Sequence, residues 1–278
     1  MLPELIHRVL HIPYLLKTRR VGKGKQTIIF LHGIASYKEI WQPALDALKR
    51  DYTCITIDLL GHGQSPKPTT IDYTVDAHLR SLRWTLFWKG MWQPKIIVGY
   101  SMGSIIATHW AHIHPKKITK LILVSMPIYR RDEGEAARNR LELLIDQGYL
   151  TFYKMLRNAP RDLVIRSAAN ILKHARTLNT QARLDDATWY PVASSLKCTI
   201  EEQATLADIR SLRPELPIEV LYGTLDQVVL ASNLKQAFKD RPLTHITRVI
   251  GPHEIKPRMF HAIVQAITRA PEPDEQPR

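Results

Sequence analysis

Short apolar runs alternate with helix-like patterns in the first part of the chain. The apolar runs have the length and composition of strands buried on both faces, and the segments between them repeat apolar side chains at helical spacing. The predicted strands lie at 28–31, 54–57, 96–98 and 121–124, and the predicted helices at 40–48, 74–89 and 101–112. Such alternation predicts a parallel sheet with helices on both faces, which is an α/β architecture.

The alternation stops near residue 128 and resumes near residue 218. No strand pattern appears in between, whereas apolar residues recur there at helical spacing. The later elements are predicted strands at 218–222 and 244–250 and predicted helices at 231–239 and 257–268. The pattern therefore predicts a core formed by 1–127 and 205–270, interrupted by a helical insertion at 128–204. The charged, proline-rich tail at 271–278 is predicted to be disordered.

Length and composition are those of a globular protein. The 278 residues are enough for one large α/β domain or two small ones, and 45% of them are hydrophobic. No apolar run is long enough to span a bilayer, and the first residues lack the basic and apolar regions of a signal peptide. The two cysteines, Cys54 and Cys198, are far apart and are expected to be reduced thiols. These features predict a cytoplasmic protein.

The formal net charge of +13 raises the question of a nucleic acid or an anionic membrane as partner. The densest basic stretch lies at 17–25, around a predicted strand–turn–strand, and the other lysines and arginines are scattered through helical patterns. No nucleic-acid motif is present. We therefore expect a solvated basic surface with at most a weak attraction to anionic surfaces, no nucleic-acid partner, and a monomer or homodimer.

A pentapeptide after the strand at 96–98 carries the first candidate for chemistry. It reads Gly99-Tyr100-Ser101-Met102-Gly103, with glycine two residues before and two residues after the serine. A serine in this pattern on a strand-to-helix turn is typical of a nucleophile elbow. Glycine is needed at the flanking positions because Cβ atoms would clash in so tight a turn. Ser101 is therefore the candidate nucleophile.

A serine nucleophile needs a base, and the base needs a group that fixes its tautomer. Such groups gather at the carboxyl ends of the strands in an open parallel sheet. Asp226 lies four residues after the strand at 218–222, and His253 follows the strand at 244–250. The sequence therefore predicts His253 as the base and Asp226 as the acid that orients it.

A tetrahedral intermediate also needs two N–H donors for its oxyanion. The backbone N–H of Met102, directly after the nucleophile, is the first candidate. The second should come from the loop after the strand at 28–31, where the N–H of Ile34 follows the turn His32-Gly33. We expect His32 to hold this loop by hydrogen bonds rather than to exchange protons with a substrate.

These residues together resemble the serine α/β-hydrolases of the small esterase and haloperoxidase-like type. The resemblance rests on Gly99–Gly103, on Phe30-Leu31-His32-Gly33, on the segment Asp58-Leu59-Leu60-Gly61-His62-Gly63-Gln64-Ser65, and on the chain order serine, aspartate, histidine. It covers about residues 5–270 and is weakest over the helical insertion, which occupies the cap position of the family. It implies a mostly parallel eight-stranded sheet flanked by helices, a cap, and no metal or organic cofactor. It also implies that Asp58, His62 and Ser65 are structural.

Two loops depart from the family pattern. Leu230 stands where members often have proline after the acid, and Pro252 rather than glycine precedes His253. Neither change removes a catalytic group, so the resemblance still implies an intact triad.

The resemblance implies a serine hydrolase that cleaves a carboxylic ester, or a related acyl bond, of a small apolar substrate through an acyl-enzyme on Ser101. A serine nucleophile points away from haloalkane dehalogenases and epoxide hydrolases, which use aspartate there. The same triad would also serve an acyltransferase or a C–C bond hydrolase, and some proteins of this fold bind ligands without catalysis.

Specificity is expected to depend on the cap and on the loop beside the acid. Aromatic residues at helical spacing serve as often to attach a cap to its core, so their role as pocket walls is one of two interpretations. The candidate pocket residues are Tyr129, Phe152, Tyr153, Trp189, Leu225 and Val228.

Overall fold

A computed structural model of the chain describes residues 12–129 and 189–270, together with residues 7 and 10. The strands are β1 (Thr18–Val21), β2 (Gln26–Leu31), β3 (Tyr52–Ile57), β4 (Lys95–Tyr100), β5 (Ile118–Val124), β6 (Ile218–Gly223) and β7 (Thr244–Val249). The α-helices are α1 (Gln42–Leu48), α2 (Val75–Trp88), α3 (Met102–Ile113), α4 (Trp189–Ser195), α5 (Thr205–Ser211), α6 (Ala231–Ala237) and α7 (Pro257–Thr268). A π-helix at Leu196–Glu201 follows α4, and short 3-10 helices lie at Lys38–Trp41 and Pro115–Lys117.

The strands form one sheet in the order β1-β3-β2-β4-β5-β6-β7. All neighbouring pairs are parallel except β1 with β3, which is antiparallel. The chain builds outward in one direction from β2 to β3 and in the other from β4 to β7. The loops after β2 and β4 therefore diverge at the centre of the sheet, and such a switch point opens a crevice at the carboxyl ends of the strands.

The described residues hold seven strands rather than the eight that the family resemblance implies. The stretch at 12–17, before β1, has no regular secondary structure. Two of its backbone N–H groups donate to side chains: Leu16 donates to Thr85 Oγ1 at 2.8 Å and Lys17 donates to Ser65 Oγ at 2.9 Å. Lys17 O accepts from Asp58 N at 2.9 Å, so the stretch is tied to α2 and to the residues that follow β3.

Side chains alternate between the two faces of the sheet, as the strand geometry requires. In β2, Ile29 and Leu31 join the core beneath α2, α3, α5 and α6, whereas Ile28 and Phe30 join the core beneath α1 and α7. Both faces of the central strands are buried, which explains their continuous apolar runs in the sequence.

The segment at 130–188 lies outside the described residues, and with it most of the predicted insertion. From residue 189 to residue 201 the described part of that insertion is helical. The boundaries of a cap at 128–204 and the disordered tail at 271–278 therefore stay predictions.

None of the helices in the described ranges is both long and apolar enough to cross a bilayer. Both cysteines carry free thiols, and burial raises the pKa of Cys54 to about 11.

Candidate active site

Ser101 lies at the turn between β4 and α3, at the centre of the sheet. Its backbone adopts φ 51° and ψ −119°, in the half of conformational space that side chains with a Cβ rarely enter. Its N–H donates to Val124 O of the neighbouring strand β5 at 2.9 Å, and its carbonyl accepts from Ser104 N at 2.9 Å. These bonds on both sides of the residue hold the turn in this conformation. Only 5% of Ser101 is exposed.

The two glycines of the pentapeptide allow α3 to approach the strand ends. A Cβ on Gly99 would lie 2.5 Å from Gly103 O, and a Cβ on Gly103 would lie 2.6 Å from His32 O. Both distances are far below van der Waals contact with fixed backbone atoms. The glycines predicted from the elbow pattern are therefore required by close packing on both sides of the serine.

The structure brings Ser101, His253 and Asp226 together, although 152 residues separate the first two in sequence. His253 Nε2 lies 3.1 Å from Ser101 Oγ, and His253 Nδ1 lies 2.9 Å from both carboxylate oxygens of Asp226. The Asp226 side chain is fully buried, whereas 23% of the His253 side chain is exposed. A buried carboxylate on Nδ1 fixes the tautomer that leaves Nε2 free to accept the proton of the serine.

Asp226 is oriented by the backbone of its own loop. Its Oδ1 accepts from Val228 N at 2.9 Å and from Val229 N at 3.1 Å. Neither bond involves Leu230, so the missing proline at that position does not disturb the acid.

The loop that carries Asp226 and the loop that carries His253 are also joined by backbone hydrogen bonds. Thr224 N donates to Val249 O at 2.8 Å and Leu225 N donates to Gly251 O at 2.9 Å. A Cβ on Gly223 would lie 2.6 Å from Pro252 O, so the two loops touch along their backbones. Pro252, the proline before His253, takes part in this contact through its carbonyl oxygen.

The loop after β2 lies against the nucleophile. A Cβ on Gly33 would come within 3.1 Å of Ser101 Cβ, so the backbone leading to Ile34 passes directly beside the serine. Within the described part of the chain, neither Ile34 N–H nor Met102 N–H donates a hydrogen bond. Two backbone donors next to a nucleophile, without internal acceptors, are what an oxyanion hole needs.

His32 holds this loop as a neutral ring. Its Nε2 must accept, because its partner at 3.0 Å is the N–H of Leu59, and its Nδ1–H donates to Gly33 O at 2.7 Å. Burial lowers the pKa of His32 to about 4, against the opposing effect of the bond to Gly33. Both ring nitrogens are hydrogen-bonded to backbone groups, which fits the structural role expected for His32.

The residues of the Asp58–Ser65 segment form hydrogen bonds within the core. Asp58 Oδ1 accepts from Lys38 N at 2.7 Å, while its Oδ2 accepts from Lys38 Nζ at 2.8 Å and from Gln64 N at 2.9 Å. Ser65 Oγ donates to Asp58 O at 2.6 Å. These contacts link the segment to the 3-10 helix at Lys38–Trp41 and do not reach Ser101, so they fit a structural role.

Two features near the site were not foreseen from the sequence. The Tyr100 ring lies 5.4 Å from the His253 ring, and burial together with the Asp226 charge raises the pKa of Tyr100, which keeps the phenol protonated. An aromatic residue directly before the nucleophile is the signal that could have indicated this contact. The other is His78, which extends a row of buried rings from His32 through His62, with 5.4 Å and 6.2 Å between successive centroids.

Four of the six candidate pocket residues lie in the described ranges, and they differ in burial. Tyr129 is buried, and its hydroxyl lies 3.4 Å from Val228 O, so these two residues contact each other beside the acid loop. Leu225 is 67% exposed, and Trp189 is half-buried at the start of α4. Phe152 and Tyr153 lie outside the described residues. In the described ranges, no group of three or more histidine, cysteine or acidic side chains is arranged to hold a metal ion.

The family profile of the alpha/beta hydrolase fold matches residues 26–252. The chain belongs to this family. The match spans the elbow, the loop after β2 and the acid, and it ends one residue before His253.

Curated relatives in the family carry names of lipid- and ester-cleaving enzymes. The probable lysophospholipase BODYGUARD 2 of Arabidopsis thaliana is 34% identical over 117 residues, which are 40% of this chain and 25% of the plant protein. Lipase 3 of a Moraxella species is 29% identical over 215 residues, which are 73% of this chain and 64% of the lipase. The chain thus spans about a quarter of the plant relative's length.

Solved α/β-hydrolases share the fold. A thermophilic esterase from Thermogutta terrifontis superimposes with a TM-score of 0.68 and covers 91% of both chains, at 18% sequence identity. At that identity the likeness establishes the fold alone.

We predict that replacing Ser101 with glycine gives a more stable protein than replacing it with alanine. Glycine adopts positive φ without the Cβ penalty, so the free energy of unfolding should be higher in Ser101→Gly than in Ser101→Ala by about 1 kcal/mol. Urea unfolding of both variants measures the difference. Ala107→Gly, within the regular helix α3, is the control and should lose more than about 1 kcal/mol, because the loss of a buried methyl adds to the helix penalty of glycine. A Ser101→Gly variant that is less stable than Ser101→Ala would contradict the strain at the elbow.

We also predict that the buried histidines make the fold sensitive to acid. Burial lowers the pKa of His32 to about 4, and burial followed by the charge of His32 lowers that of His78 to about 3, both from 6.5. Below about pH 6.5 the unfolded chain binds protons that the folded chain does not, so the free energy of unfolding falls as the pH falls towards 4, by up to about 1.4 kcal/mol per pH unit for each histidine.

The test compares the pH dependence of urea unfolding in His78→Phe and the native chain. Removing one buried histidine should flatten the slope by about one proton below pH 6.5, whatever the change in absolute stability. His261→Phe, at an exposed position of α7, should leave the slope unchanged. Parallel curves for His78→Phe and the native chain would show that His78 does not contribute.

Proposed function

We propose that this protein hydrolyses carboxylic esters of small apolar molecules through an acyl-enzyme on Ser101. The observation that carries the proposal is the continuous chain of contacts from Asp226 through His253 to Ser101 Oγ, at 2.9 Å and 3.1 Å, beside two backbone N–H groups without acceptors in the described residues. The names of the family relatives, a probable lysophospholipase and a lipase, support ester bonds as the target.

In the first half of the reaction, His253 Nε2 takes the proton of Ser101 as its Oγ attacks the ester carbonyl carbon. Asp226 stabilises the imidazolium that forms, and the N–H groups of Ile34 and Met102 stabilise the oxyanion. His253 then gives the proton to the leaving alcohol, and the C–O bond of the ester breaks to leave the acyl group on Ser101.

In the second half, water replaces the alcohol. His253 accepts a proton from the water as it attacks the acyl carbon, and the same N–H groups stabilise the second oxyanion. Return of the proton to Ser101 releases the carboxylic acid. The cycle needs only groups of this chain and water.

Substrate choice is proposed to depend on Tyr129 and Val228 beside the acid and on the predicted cap at 128–204. The end of that segment contacts the core through Ser194, whose Oγ accepts from Tyr73 N at 3.0 Å, and Thr199, whose Oγ1 donates to Tyr73 O at 2.7 Å. The side chains of Ile34 and Val228 pack against the apolar core near the site, which supports an apolar acyl group.

The proposal is tested with p-nitrophenyl acetate, butyrate and octanoate. Ser101→Ala and His253→Ala should each lower kcat/KM at least about a thousand-fold, because removing either group leaves only binding and oxyanion stabilisation. Asp226→Asn should cost on the order of a thousand-fold or more through the wrong histidine tautomer. Ser211→Ala and His261→Ala, at exposed positions, are the matched controls and should keep native rates.

A fluorophosphonate probe separates the alternative functions. It should label Ser101 in the native chain and not in Ser101→Ala. Labelling without turnover of any ester would favour an acyltransferase or a non-catalytic member of the fold, and equal turnover by the native chain and Ser101→Ala would exclude Ser101 as the nucleophile.

A further inference from the structure

Three large aromatic side chains stand exposed at the carboxyl end of α2. Phe87 is 44%, Trp88 64% and Trp92 51% exposed, and Trp84 lies beside them. Single exposed apolar residues are common on protein surfaces, but a contiguous cluster of this size marks an interaction site. We call Trp84, Phe87, Trp88 and Trp92 the tryptophan patch.

The turn that ends α2 positions the rings of the patch. Gly90 adopts φ 67°, its N–H donates to Phe87 O at 2.9 Å, and Met91 N donates to Leu86 O at 3.0 Å. This pair of bonds is a Schellman motif, which reverses the chain after a helix. The reversal brings Trp92 edge-on against Phe87, with 4.5 Å between ring centroids.

The rings support one another in fixed orientations. Trp84 and Phe87 are parallel at 5.6 Å, and the Trp88 ring is perpendicular to both, at 5.6 Å and 5.8 Å. Mutual packing of this kind holds the rings in place at low entropic cost, although they remain open to solvent.

The surroundings of the patch are positively charged. From residue 77 to residue 129 the sequence contains no aspartate or glutamate and seven lysines and arginines. Arg83, Lys89, Lys116 and Lys117 are exposed, and none of them forms an ion pair with a carboxylate of the described residues. Lys117 Nζ donates to the backbone carbonyl of Trp92 at 3.1 Å, which places this cation next to a residue of the tryptophan patch.

Burial is the main cause that lowers the pKa of two neighbouring groups, and the nearby cations add to it. Burial, followed by the charges of Arg83, His109 and Lys117, lowers the pKa of His114, and burial with Lys117 lowers that of Lys95 to about 8.

We propose that the tryptophan patch docks the protein onto lipid bilayers that contain anionic phospholipids. Tryptophan rings settle at the headgroup level of a bilayer, and lysine and arginine are attracted to its negative surface potential. A second copy of the chain fits less well, because a symmetric contact would set the same unpaired cations against each other. A stable protein interface also needs about 800 Å² on each partner, whereas a few rings and cations suffice for reversible binding to a charged bilayer.

The patch lies near the amino end of β4, at the opposite end of this strand from Ser101. The carboxyl end of α2 leads to Lys95, where β4 begins, whereas Ser101 follows the other end of the same strand. Six residues of strand span about 20 Å. Docking and ester hydrolysis therefore use different surfaces, and the proposal does not depend on the function proposed above.

The experiment measures cosedimentation with vesicles of phosphatidylcholine alone and of phosphatidylcholine mixed with phosphatidylserine. The native chain should bind the mixed vesicles, with a blue shift of tryptophan fluorescence, and the binding should weaken as salt increases. Trp88→Ser combined with Trp92→Ser should lower binding at least about ten-fold while leaving the hydrolysis of a soluble ester at the native rate. Leu15→Ser combined with Ile250→Ser, at exposed apolar positions elsewhere, is the matched control and should bind as the native chain does.

A second pair of variants tests the charges. Lys89→Glu combined with Lys117→Glu should lower binding to the mixed vesicles at least about ten-fold, whereas Lys235→Glu combined with Lys239→Glu makes the same change of net charge on and just after α6 and should have a much smaller effect. Equal loss in both pairs would mean that net charge alone attracts the protein, and it would overturn the docking site.

Other results would also overturn the proposal. One is an absence of native binding to the mixed vesicles, and another is undiminished binding after loss of Trp88 and Trp92. A concentration-dependent dimer that those tryptophan replacements abolish, without vesicle binding, would assign the patch to a second copy of the chain.

Discussion

The close approach of a helix to three strand ends governs the geometry of the candidate site. α3 can start directly above β4 only because Gly99 and Gly103 have no Cβ to collide with the backbone of the helix and of the loop after β2. The remaining mismatch between strand and helix is absorbed by Ser101, whose φ of 51° is held by bonds to β5 and to the first turn of α3. The strain lies in the residue proposed as the nucleophile, and strained residues are common at functional sites.

A set of neutral histidines supports the other side of the site. His32 uses both ring nitrogens on the backbone, which fixes the loop that carries Ile34. His62 donates from Nδ1 to Leu60 O at 2.9 Å, and its Nε2 has no partner among the described residues. Burial lowers the pKa of His62 far below its ordinary value. The loop that positions an oxyanion donor therefore rests on rings that must stay uncharged.

The sequence was sufficient for the parts of the molecule that follow local rules. Apolar runs located the strands to within a few residues, and the rule that functional groups follow strand ends selected Asp226 and His253. The described residues form seven strands rather than the eight implied by the resemblance, and the stretch at 12–17 bonds through Leu16 and Lys17 to side chains distant in sequence, which no local pattern predicts. His62 was expected to be structural from the resemblance, whereas the buried ring of His78 was missed because a histidine in a helix gives no sign of its burial. The role of Leu225 as a pocket wall also depends on tertiary packing, and the structure leaves this side chain 67% exposed.

The backbone bonds between the loops after β6 and β7 tie two members of the proposed triad together. Asp226 and His253 lie on these loops, joined through Thr224, Leu225 and Gly251, while Ser101 is fixed between β4, β5 and α3. The ladder between β5 and β6 connects these two groups of residues across the sheet. The 3.1 Å contact from His253 to Ser101 therefore depends on the register of one strand pair that contains no residue of the proposed triad.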